Sequence, residues 1–125
     1  MFRRRSTPAI KAFHVVAEHV ERAKEAVVGA MPSARRRGTP LAEALLVFET
    51  EVAEARRAMP GWRRGEVDAE WRACDEALTL VAGGAERLRL DAPALDFEGM
   101  AMVLGDLIAP LDVFGEAERV LHASG

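Results

Sequence analysis

FEGMAMVLGDLIAPLDVF, residues 97–114, is the most apolar stretch of the chain, and its reading decides the fold. Phe97, Met100, Leu104, Leu107, Leu111 and Phe114 recur at steps of three and four, which is one face of a helix. Asp96 stands where an N-cap belongs, and Glu98 sits in the first turn, where a carboxylate complements the helix dipole. The helix is expected to run to about His122. Pro110 removes the backbone bond to Asp106 and is expected to kink it. The same segment carries a second stripe away from the main seam: Met102, Asp106, Ala109, Val113, Ala117 and Val120. A helix that is apolar on two faces exceeds what a monomeric bundle needs. This stripe is therefore expected to form an isologous homodimer contact, the commonest closed symmetry. The alternative is a slight rotation that buries both stripes within one chain.

Three other segments carry matching stripes. Thr7-Pro8 is a helix start, with Thr at the N-cap and Pro at the first helical position. Ile10, Phe13, Val16, Ala17, Val20, Ala23 and Val27 then share a face up to about Met31, where Pro32 ends the helix. Thr39-Pro40 repeats the start signal, and Leu41, Leu45, Phe48, Val52, Ala55 and Met59 form a heptad-like seam that ends at Pro60-Gly61. After the turn Trp62-Arg63-Arg64-Gly65, a third seam runs through Val67, Trp71, Cys74, Leu78, Val81, Ala85 and Leu88. Gly83-Gly84 weakens that helix by roughly 1 kcal/mol per glycine relative to Ala, but the stripe crosses them in register. Short loops favour antiparallel neighbours, so the expected fold is all-α, an antiparallel up-down-up-down four-helix bundle over residues 7–125 behind a flexible basic tail, residues 1–6. A three-helix body with a separate arm is the alternative. No strand alternation or solenoid repeat is present.

Composition narrows the functional classes. The 125 residues, half of them hydrophobic and 30% charged, suit one soluble domain with a real core. A net charge of -3 gives no global pull toward nucleic acid or anionic membrane. Lys11, His14 and Glu18 break up any signal-peptide core, and Asp106 and Asp112 interrupt the most apolar run, so neither secretion nor a membrane span is expected. The single cysteine, Cys74, forbids an internal disulfide and fits a reducing cytoplasm. Absence of Asn, Gln and Tyr, with Arg far outnumbering Lys, reads as the coding bias of a GC-rich bacterium.

The expected topology gathers Arg3, Arg4, Arg5, Arg63 and Arg64 at one pole, either as an anion-binding site or as a solvated rim. Arg35, Arg36 and Arg37 would face Asp91, Asp96 and Glu98 at the other. Gly84 and Gly105 fall at nearly one level, where they would admit close backbone approach or leave a small cavity. Asp106 and Asp112 would be either desolvated in the apolar stretch or paired with Arg72 or Arg87 at the bundle edge.

Catalytic motifs are sparse. Glu18-x-x-Glu21 and Glu51-x-x-Glu54 resemble the paired acidic motifs of MazG-like nucleotide pyrophosphohydrolases, a resemblance that implies a helical, magnesium-binding site. The seams, however, put Glu18 and Glu21 on an outer face, and magnesium needs converging carboxylates. His19-Val-Glu-Arg22-Ala23 is similar to the His-x-x-basic-small pattern of histidine phosphotransfer domains. A di-iron centre needs Glu-x-x-His, which the chain lacks, and neither the histidines His14, His19 and His122 nor Cys74 suggests an inward ligand set. No metal, no cofactor and no catalytic residue is expected. The expectation is a non-enzymatic bundle that self-associates and takes a protein partner, with neither membrane nor nucleic acid as partner. A ligand-binding or nucleotide-processing bundle using the acids of helices 1 and 2 is the alternative.

Overall fold

The computed structural model describes residues 7–30, 39–91 and 97–124. The expected tail, with Arg3, Arg4 and Arg5, lies outside those residues, as do Arg35, Arg36, Arg37, the Asp96 cap, and the side chains of Phe97, Glu98 and Met100. Four rods account for the described residues, and no strand is present among them. They are α1 (Pro8–Ala30), α2 (Thr39–Ala58), α3 (Asp68–Asp91) and a fourth rod in two pieces, α4 (Phe97–Ile108) and α5 (Val113–Ser124). Two short 3-10 turns, Met59–Trp62 and Gly65–Val67, link α2 to α3. No helix among the described residues is long and apolar enough to cross a membrane.

Cross-rod pairs establish the direction of each rod. Phe13 meets Trp62 just past α2, while His19 further along α1 meets Glu51 earlier in α2. Met59 meets Trp71 and Glu49 meets Arg89, which turns α3 back along α2. Gly84 faces Leu107, and His14 at the start of α1 meets His122 near the end of α5. Each rod therefore runs opposite to the one before it, and the first rod lies beside the last. This is the up-down-up-down bundle that the stripes predict.

The local signals act as their chemistry requires. The Thr7 hydroxyl accepts the Ile10 amide at 3.1 Å, which caps α1. α3 passes through Gly83-Gly84 unbroken. The described seam positions Leu41, Leu45, Phe48, Val52, Ala55 and Met59 are buried, as are Val67, Trp71, Cys74, Leu78, Val81, Ala85 and Leu88. No polar or charged residue is fully buried among the described residues, so the described core is made of apolar side chains. Burial pushes the Cys74 thiol up to about 12, which keeps it protonated and unreactive at neutral pH.

Two features depart from the expected helices. Trp62, read as part of a turn, is fully buried. Its ring stands edge-on to Phe13 with centroids 4.9 Å apart, and its Nε1 donates to Met59 Sδ at 3.3 Å. The second departure is at Pro110. The fourth rod does not merely kink there: residues Ala109–Asp112 tighten into a 3-10 turn. Such a turn advances about 120° per residue against about 100° in an α-helix, so four residues rotate α5 by roughly 80° relative to α4. The core seam consequently reaches Ala117 rather than continuing in strict heptad step to residue 118.

Candidate interaction surface

The rotation at Pro110 divides the second stripe. Met102, Asp106 and Ala109, on its near side, point to solvent, with Met102 72% exposed. Val113 and Val120, beyond it, pack partly against the core, and Ala117 is fully inside it. Ala117 is thus committed to the monomer interior. The stripe does not form one continuous outer face; only its α4 half is open.

That open half borders a groove between α3 and α4. Leu80, Val81, Gly84, Arg87 and Leu88 form one wall, and Val103, Asp106, Leu107 and Pro110 the other. The floor exists because Gly84 lacks a side chain: a Cβ there would lie 3.1 Å from Leu107 Cδ1. Gly105, by contrast, faces open space, so close approach involves Gly84 alone. The groove has a volume of about 290 Å³, at the lower edge of the range of small-ligand sites, and opens to solvent. Its rim is apolar, with Leu80 59% and Val103 38% exposed beside Met102. Arg87 and Asp106 stand on opposite walls, both exposed, and neither forms an ion pair among the described residues. Asp106 is therefore neither desolvated nor paired with Arg72, which binds Asp68 instead.

Of the five pole arginines, Arg63 and Arg64 lie among the described residues, and both meet neighbours of their own. Arg63 stacks over the Trp71 ring at 4.3 Å and reaches Asp68 at 3.7 Å, while Arg64 meets Glu66 at 3.4 Å. The guanidinium of Arg72 beside Asp68, helped by Arg63, holds that carboxyl below its usual range.

The acidic motifs do not converge. Glu18 pairs with Arg22, Glu21 with Lys24 and Glu54 with Arg57, all along single helices. Glu51 instead crosses to α1 and takes His19 Nδ1 at 2.6 Å. His19 is thereby tied into the α1–α2 contact, and Arg89 clamps α3 to α2 through both oxygens of Glu49.

One grouping is absent from the residue-pattern reading. His14 and His122 approach to 3.3 Å between Nε2 atoms, with Glu118 beside them. Among the described residues it is the only trio of ligand-bearing side chains with converging atoms. The Glu118-x-x-x-His122 spacing is the available signal, since it places both residues on one helix face. No family model, curated protein or solved structure matches the chain.

Proposed function

We propose that the protein is a non-enzymatic helical-bundle module that acts through self-association, with the α3–α4 groove as the surface on which a second copy docks. The observation that carries this reading is a groove bordered by exposed Leu80 and Val103, with exposed Met102 next to it on α4, and with one cation and one anion on opposite walls, both unpaired among the described residues. A two-fold axis through such a groove sets the Arg87 wall of one copy against the Asp106 wall of the other, and the apolar rims against each other. Apolar side chains exposed beside a charged groove favour association. The dimer contact uses Met102, Asp106 and Ala109 from the second stripe, and Val113 and Val120 at its margin. The resulting dimer offers its outer surfaces to a protein partner in a reducing cytoplasm, which suits a lone buried thiol.

Light scattering at tens of micromolar tests the reading. The expected mass is that of two chains for the native protein and of one chain for Met102→Asp, with both giving the same helical circular dichroism. A native mass of one chain at every concentration would overturn it.

A further inference from the structure

We propose that His14, His122 and Glu118 form a binding site for a divalent transition-metal ion of the zinc class, which ties the first rod of the bundle to the last. Glu118 and His122 are one turn apart on α5, and His14 faces them from α1. Each of the three follows or precedes a core residue that pins its backbone: Phe13, Ala117 and Leu121. Phe13 and Phe114 pack beneath, with ring centroids 6.1 Å apart, so the two helices are fixed relative to each other where the ligands emerge.

The distances carry the inference. His14 Nε2 and His122 Nε2 are 3.3 Å apart, and the same Glu118 oxygen lies 3.8 Å from the first and 3.9 Å from the second. A triangle with edges of 3.3, 3.8 and 3.9 Å has a circumradius of about 2.1 Å, matching zinc–imidazole and zinc–carboxylate bond lengths. A hydrogen bond between the rings accounts for the first edge alone. It does not explain a carboxylate held nearly equidistant from both nitrogens and beyond hydrogen-bonding range of either. His122 Nδ1 is enclosed without a partner among the described residues, so Nε2 is the nitrogen this ring can offer a ligand, and it is the one aimed at His14.

The ligand chemistry selects the ion. Two imidazoles and one carboxylate suit zinc and its neighbours in the first transition row, whereas magnesium and calcium prefer oxygen throughout. The His14 side chain is 46% exposed and Glu118 52%, so an ion would have a path in and water could complete its coordination. Three protein ligands with one open position describe an exchangeable site rather than a closed structural one. The ion would join positions 108 residues apart in the chain.

Isothermal titration of untagged protein with zinc chloride in a non-chelating buffer tests this. One ion per chain is expected. His14→Ala, His122→Ala and Glu118→Gln should each weaken binding by at least about tenfold, and the double histidine variant should abolish it. His14 and Glu118 are exposed, so their variants should keep the native circular dichroism. Met102→Asp should bind zinc unchanged, which separates this site from self-association. Cobalt should give the absorption of a four-coordinate ion, lost in His14→Ala. Native protein that takes up no zinc, single variants that bind as tightly as native, or magnesium binding as well as zinc would each overturn the assignment.

Discussion

The pole around Trp62 and the α4 half of the fourth rod make opposite use of apolar side chains. At the pole, Phe13, Met59 and Trp62 are sealed, and Trp71 Nε1 donates to the Met59 carbonyl at 2.8 Å. In α4, Leu104 and Leu107 are buried while Met102 and Val103 face solvent. Yet α4 lies in the more apolar sequence, and Trp62 is flanked by Pro60-Gly61 and two arginines. Burial here follows the supply of partners rather than apolarity. The pole has three rods and a turn converging on it, whereas α4 touches its neighbouring rods along its inner face and leaves Met102 and Val103 to solvent.

That contrast can be broken most forcefully at the closed end. Trp62→Ala should cost about 3–5 kcal/mol in chemical denaturation, because its ring fills space that no neighbour can reoccupy. A loss within about 0.5 kcal/mol, the range of ordinary surface changes, would mean that the pole is not the tight centre described.

Two glycines sharpen it next. A Cβ at Gly61 would lie 2.7 Å from Ala12 Cβ, a short side chain on a rigid helix that cannot swing aside. Gly61→Ala should therefore cost about 1–3 kcal/mol by overpacking. At Gly84 the obstacle is only the tip of the Leu107 side chain, which can turn into the open groove. Gly84→Ala removes a mid-helix glycine, which recovers up to about 1 kcal/mol of helix propensity, so its expected effect runs from neutral to stabilising. In thermal melts of the two variants side by side, Gly61→Ala should fall below the native protein and Gly84→Ala should not. Equal losses would erase the distinction between closed and open regions.

The smallest effect is expected at Asp106. It is exposed and unpaired among the described residues, so Asp106→Asn should change monomer stability by no more than about 0.5 kcal/mol. A much larger loss in urea titration would place the carboxylate in a buried pair.

How much of the structure is legible in residue order differs by region. The stripes of α1, α2 and α3 specify their buried faces almost residue for residue, because one uninterrupted period governs each helix. The Thr7 cap and the stop at Pro60 are equally local. Trp62 escapes such a reading because its burial depends on the Phe13 ring arriving from another rod, while its neighbours in sequence signal a turn. The second stripe is shorter than its spacing suggests because periodicity assumes constant rotation per residue, and the 3-10 turn at Pro110 breaks that assumption. Val113 and Ala117 therefore turn inward although they share a register with Met102. The histidine pair is invisible in the sequence for a further reason. His14 and His122 lie on rod flanks, and only the relative rotation of α1 and α5 brings them together.

Charge reversal across the groove tests self-association through the α3–α4 face most directly. In an isologous pair, Arg87 of one copy meets Asp106 of the other, so Arg87→Glu and Asp106→Arg should each reduce the light-scattering mass from two chains to one. Combined in one chain, they restore the attraction with its signs exchanged, and the mass should return to two chains. If all four proteins share one mass, the groove is not where copies meet.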